Sequence, residues 1–157
     1  MQKIVTSLWF DTEAGEAAEF YTSVFKNSRM INTVYYGENG RRPAGMVLTV
    51  SFELNGQSFT AINGGPEFKF TEAISLSVNC EGQEEVDELW EKLSAGGQPG
   101  PCGWLKDKYG LSWQICPTVL GKLLSDPDPA KAQRVTAAMM GMGKLDIAAL
   151  ERARDGG

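Results

Sequence analysis

Apolar and polar positions along the chain change rhythm in a fixed order, from strand-like to helical and back, and that order occurs twice. Residues 4–10 are a short, bounded apolar run, which predicts a strand. Asp11 or Thr12 can cap the next element, with Glu13 and Glu16 near its positive end. Ala17, Phe20, Tyr21 and Val24 then recur at helical spacing through Phe25. Residues 30–36 are β-branched and aromatic and predict a strand, and Gly37-Glu38-Asn39-Gly40 is turn chemistry. Over residues 46–54, Val47, Thr49, Ser51 and Glu53 alternate with Leu48, Val50, Phe52 and Leu54. Asn55-Gly56 signals a two-residue hairpin, so residues 57–62 are the returning strand and the first half reads β-α-β-β-β.

Residues 63–72, with Gly64-Gly65-Pro66, Phe68 and Phe70, join the halves. The second half starts with a strand over 73–78 and a helix over 83–94 that Gly96-Gly97 stops. Residues 100–107 and 111–116 predict two strands joined at Lys108-Tyr109-Gly110, with room for a short extra strand near Gln98. A shift of 69 positions pairs Glu16 with Glu85, Glu19 with Glu88, Tyr21 with Trp90 and Val24 with Leu93. This reading gives an α+β fold: two βαβββ-like modules (1–63 and 73–117) facing one another across a cleft, within a domain spanning 1–117. A helical extension follows over 118–157. Thr118 is placed to cap a helix to Leu124, Asp126-Pro127-Asp128-Pro129 opens a second over 130–140, and 145–153 is a third. The stripe of Val135, Met139 and Met142 reads as docking onto the sheets or as a dimer contact.

Composition narrows the function. The 157 residues carry a formal net charge of −5, which nucleic-acid backbones and anionic membranes repel. Arg41-Arg42 is a small basic patch, read as a solvated turn in a Gly/Asn/Pro loop. No stretch reaches the roughly 20 apolar residues of a membrane span. Met1-Gln2-Lys3-Ile4 runs into the first strand, which predicts no signal peptide, and three cysteines without a CxxC fit a reducing cytoplasm. The absence of histidine removes Ser-His-Asp and Cys-His catalysis within one chain and the commonest metal ligand.

The run Gly100-Pro101-Cys102-Gly103-Trp104-Leu105-Lys106-Asp107-Lys108-Tyr109-Gly110-Leu111-Ser112-Trp113-Gln114 carries a resemblance, together with Leu8-Trp9-Phe10-Asp11, Phe20-Tyr21, Asn63-Gly64-Gly65-Pro66 and Glu85-Val86-Asp87. These motifs resemble the PhnB-like family of the vicinal oxygen chelate superfamily, which includes glyoxalase I, bleomycin-resistance proteins and extradiol dioxygenases. The resemblance spans about residues 3–117. It implies paired βαβββ modules and a homodimer, and its members often bear the label 3-demethylubiquinone-9 3-methyltransferase. It also implies four metal-ligand positions, which fall near Ile4 or Thr6, near Thr60 or Ala61, at Ala73 and at Gln114. Only Gln114 could ligate there, through its amide oxygen, so the expectation is no metal and no other cofactor. No strand-terminal glycine-rich loop with an acidic ribose partner is present for an adenosyl cofactor.

The candidate ligand-binding residues are Thr6, Phe68, Trp104, Ser112 and Gln114. Gln114 shares strand parity with Ser112 and Cys116, so it either fixes a ligand's polar group or pins neighbouring strands. Trp113 has the opposite parity and should face the helix layer. Trp9, Trp104, Trp113, Phe52 and Phe68 are either a pocket for a flat ligand or aromatic core. Two weak catalytic candidates remain: Glu53, as a general base if burial raises its pKa, and Cys102, as a reactive thiol beside Lys106. The first reading is therefore a binding protein for an unidentified small molecule. The second is a metal-dependent lyase, isomerase or dioxygenase, and the third is the methyltransferase of the label.

Overall fold

The computed structural model describes residues 2–157. The chain divides into two compact units, 1–69 and 70–157. Unit one holds β1 (Thr6–Phe10), α1 (Ala14–Val24), β2 (Arg29–Tyr35), β3 (Val47–Leu54) and β4 (Gln57–Asn63). Its sheet runs β1-β4-β3-β2, with β1 parallel to β4 and the other pairs antiparallel. Unit two holds β5 (Ser75–Cys80), α2 (Gln83–Ser94), β6 (Gln98–Pro99), β7 (Trp104–Lys106) and β8 (Ser112–Pro117). Its sheet runs β5-β8-β7-β6 with the same parallel and antiparallel pattern. The internal repeat is thus a repeat of topology, βαβββ twice, in an α+β fold. Three helices follow in unit two: α3 (Val119–Leu124), α4 (Pro129–Met140) and α5 (Ile147–Arg154).

α1 and α2 each cover one face of their own sheet. In unit one Ala17, Ala18 and Tyr21 of α1 are fully buried where the helix packs on β3 and β4, whose Phe52 and Phe59 are buried in turn. Tyr21 stacks on Phe52 at 6.3 Å and Phe52 on Phe59 at 5.5 Å. The start of α1 differs from expectation. Neither Asp11 nor Thr12 caps it: Glu13 occupies the cap position without a side-chain bond. The side chain of Asn63, at the end of β4, does the work instead, accepting from Ala14 N at 2.8 Å and donating to Val47 O at 3.0 Å. Asp11 is engaged elsewhere, by Arg42 at 3.0 Å, so Arg42 is a half-buried clamp and not a solvated turn residue. The Asn55-Gly56 hairpin forms as read, with both residues at positive φ (49° and 80°).

In unit two α2 spans the expected residues and buries Val86, Leu89 and Leu93. The strand read over 100–107 shortens to β7, because Pro101-Cys102-Gly103 turns sharply with Cys102 at φ 57° and Gly103 at φ 84°. Thr118 does not cap α3 through its side chain, which instead donates to Glu81. The tail stripe meets the sheet at Cys116 of β8 but is covered mainly by the tail's own helices. Val135, Leu120, Leu123, Leu145 and Leu150 form a small core of their own, with Met139, Met142 and Cys116 packed against it. Gln83 ties this tail to α2 by donating to Leu145 O and accepting from Ile147 N, and Lys144 pairs with Asp87 at 2.9 Å.

Candidate functional site

Strand alternation leaves each sheet one face that its helix does not cover. In unit one that open face carries Ser7 and Trp9 of β1, Ser58, Thr60 and Ile62 of β4, and Thr49, Ser51 and Glu53 of β3, opposite the buried Leu8, Phe10, Phe59, Ala61, Val50 and Phe52. Thr6 pairs with Phe59 and shares the parity of Leu8 and Phe10, so it stands on the helix-facing side and not with the open-face hydroxyls. Of the two fourth-strand candidates, Thr60 is on the open face and Ala61 is in the core.

A hollow of about 230 Å³ opens on this face between Val5, Ile31, Ser51, Ser58 and Thr60, with Arg29 and Glu53 at its rim. Arg29 Nε donates to Glu53 Oε2 at 3.0 Å and its Nη2 to Oε1 at 3.4 Å. The guanidinium hydrogen bond holds the Glu53 carboxyl below the usual carboxylate range. That is the reverse of what a general base would need, and Glu53 becomes one half of an exposed ion pair. Trp9 donates from Nε1 to Gly65 O at 2.9 Å, and its ring lies so close over Gly64 that a Cβ there would come within 2.2 Å of it. Phe68 meets Trp9 edge-on at 4.9 Å and stays 64% exposed, which makes it the open apolar element at this end of the sheet. Phe52 belongs to the core.

In unit two, Trp113, Ile115 and Leu105 are buried on the α2 side. Trp113 Nε1 donates to the buried carboxylate of Asp107 at 2.8 Å, which also accepts from Tyr109 N and Leu111 N. The opposite face presents Trp104, Lys106, Ser112, Gln114 and Ser75. Gln114 Nε2 donates to Ser75 Oγ at 2.8 Å. Ser112 is 1% exposed, and among the described residues its hydroxyl finds no hydrogen-bond partner. Lys106 is held by Glu72, whose carboxyl the ammonium hydrogen bond pulls down. Three of the five ligand-binding candidates, Trp104, Ser112 and Gln114, therefore share one face. The participation of Ser75 was missed, although its serine-rich strand, Ser75 and Ser77 at spacing two, held the signal.

The thiols differ in environment. Burial pushes Cys80 up to about 12 and raises Cys116 as well. Cys102 sits half-exposed on its turn, with Sγ 3.6 Å from Met140 Sδ and its N–H donating to Met142 O. Its structural neighbour is thus methionine sulfur. Brief alkylation with iodoacetamide at pH 8, read by peptide mass mapping, is expected to label Cys102 first and to spare Cys80 in the folded protein.

The donor set does not fit a resident cation. Among the described residues no three His, Cys, Asp or Glu side chains come together. Ala73 offers no donor and lies before β5, while Thr60 and Gln114 offer neutral oxygens only. The strand-to-helix junctions, Asp11-Thr12-Glu13 and Glu81-Gly82, are likewise not glycine-rich loops for an adenosyl cofactor.

A family model described as 3-demethylubiquinone-9 3-methyltransferase matches residues 2–116. The PhnB protein of Bacillus cereus is 41% identical, with a TM-score of 0.67 over 74% of this chain and 99% of that one. Protein PA1353 of Pseudomonas aeruginosa is 18% identical, with a TM-score of 0.62 over 74% and 98% of the two chains. The fosfomycin resistance protein FosX of Listeria monocytogenes, complexed with Mn(II) and sulfate, is 16% identical, with a TM-score of 0.55 over 79% and 97%. The last two share the fold alone. No curated protein matches the chain.

Proposed function

The chain belongs to the 3-demethylubiquinone-9 3-methyltransferase family, the PhnB-like branch of the glyoxalase superfamily, and from that premise we propose that it is a small-molecule-binding protein that works without a resident metal. One observation carries the reading. The open sheet faces are lined with hydroxyl, amide and apolar groups, and the carboxylates nearest them, Glu53 and Glu72, are already paired with Arg29 and Lys106. Such faces supply hydrogen bonds and apolar area for an organic molecule, and little for a hard cation. The strand-to-helix junctions lack the glycine-rich loop common at adenosyl sites, which counts against methyl transfer. The same reading takes it to work in the cytoplasm, and its three unpaired cysteines support a reducing compartment. Membership of the PhnB-like family supports a homodimer as its working form.

Native mass spectrometry of freshly isolated protein tests both statements at once. The expected spectrum shows twice the 17.1 kDa chain mass, with an organic adduct that is released on unfolding, and no saturable uptake of added Mn(II). A monomer at micromolar concentration would refute the dimer. One Mn(II) per chain, lost in Gln114→Ala, would overturn the metal-free reading in favour of a metal-dependent enzyme.

A further inference from the structure

We propose that the open face of the second sheet binds a flat, uncharged ring bearing a carboxamide or lactam, with Ser112 and Gln114 reading the amide and Trp104 stacking on the ring. The inference rests on the small-molecule-binding reading and names the ligand class for one part of it.

Register sets the geometry. Ser75, Ser112 and Lys106 form one row across β5, β8 and β7, and Ser77, Gln114 and Trp104 form the next. Ser112 and Gln114 are thus successive same-face residues, about 7 Å apart along β8. The hydrogen bond from Gln114 Nε2 to Ser75 Oγ, at 2.8 Å, leans the amide towards the Ser112 row. That bond uses the amide nitrogen and leaves the carbonyl oxygen to accept. Ser112 adds the more telling observation: its hydroxyl is buried and unpartnered among the described residues. A buried hydroxyl in that condition destabilises the fold, and a ligand acceptor would remove the penalty. Because the oxygen is covered, ligand entry requires the flanking side chains to shift.

Two protein groups, one donating and one accepting, call for a ligand group with an acceptor and a donor on adjacent atoms. An amide has both: its carbonyl accepts from Ser112 Oγ–H and its N–H donates to Gln114 Oε1. Trp104 is directly beside Gln114 and partly exposed, so its indole offers the ring a stacking surface. Lys106, the cation of this face, is already neutralised by Glu72, so a carboxylate in place of the amide gains nothing there.

Calorimetric titration of the full-length protein with benzamide, benzoate and N,N-dimethylbenzamide tests the assignment. Benzamide is expected to saturate at millimolar concentration, in keeping with about nine non-hydrogen atoms of modest efficiency. Benzoate and the dimethyl amide, which lacks an N–H, are expected to bind about tenfold more weakly or worse. Ser112→Ala should weaken benzamide about tenfold while raising the melting temperature of the protein alone, since it deletes an unsatisfied hydroxyl. Gln114→Ala and Trp104→Ala should each weaken benzamide without that gain. No benzamide binding, equal binding of benzoate, or a Ser112→Ala protein with unchanged affinity would overturn the proposal. If a copurifying organic ligand is found while benzamide fails, this inference falls and the broader reading stands.

Discussion

Replacing Asp107 with alanine is expected to lower the melting temperature by about 10 °C, a loss of about 3–4 kcal/mol. Asp107 is 2% exposed, and its carboxylate closes the turn between β7 and β8. Oδ1 accepts from Tyr109 N at 2.8 Å and Leu111 N at 3.1 Å, and Oδ2 accepts from Trp113 Nε1 at 2.8 Å. Alanine removes the acceptor and leaves the donors behind. Each stranded buried donor costs about 1–3 kcal/mol, and water can relieve part of the loss at the half-exposed Tyr109 amide. Trp113, 2% exposed, has no such relief for its indole N–H. Asp107→Asn keeps one oxygen and turns an NH₂ towards another donor, so about half the loss should return. Thermal unfolding followed by near-ultraviolet circular dichroism, which reports Trp113, separates these outcomes. An alanine variant as stable as the parent would show that the turn does not depend on this carboxylate.

Much of the fold was legible because local pattern and tertiary demand agree. The helix over Gln83–Ser94 could be read to the residue: Val86, Leu89 and Leu93 recur at helical spacing between Gly82 and Gly96. The hairpin at Asn55-Gly56 was equally plain, since both residues tolerate the positive φ the turn imposes. Boundaries set by distant partners were less legible. β1 begins at Thr6, although the apolar run begins at Ile4, because its ladder to β4 starts at the Thr6–Phe59 pair. The true α1 cap lies 49 residues away, at Asn63, where no local rule could find it.

The candidate site shows the same division. Parity along β8 was enough to place Trp113 with the helix layer and Gln114 on the other face. Parity along β1 places Thr6 with Leu8 and Phe10, but the family correspondence left Ile4 and Thr6 both open. Glu53 stood correctly opposite the apolar side of β3. What could not be seen was Arg29, because β2 pairs with β3 through two register shifts, between Met30 and Asn32 and between Val34 and Tyr35. Electrostatic partners across a bulged ladder depend on where the extra residue falls, and side-chain pattern does not encode that.

Asn63 supplies the second large expected effect: Asn63→Ala should cost about 2–4 kcal/mol. The residue is 2% exposed at the end of β4, and it joins three segments. Its Oδ1 satisfies the first free N–H of α1, its Nδ2 satisfies Val47 O at the start of β3, and its backbone oxygen accepts from Tyr36 Oη at 2.6 Å. Loss of a helix cap alone costs about 1 kcal/mol, and the unpaired Val47 carbonyl adds to it. The backbone bond from Tyr36 survives the substitution, which sets the upper limit. Asn63→Asp retains the acceptor for Ala14 N and adds charge at the positive end of α1, but cannot donate to Val47 O, so it should fall between the parent and alanine. Amide hydrogen exchange gives the sharper readout: the first turn of α1 and the Val47 end of β3 should lose protection together in Asn63→Ala. If only one of them loosens, Asn63 does not couple helix to sheet.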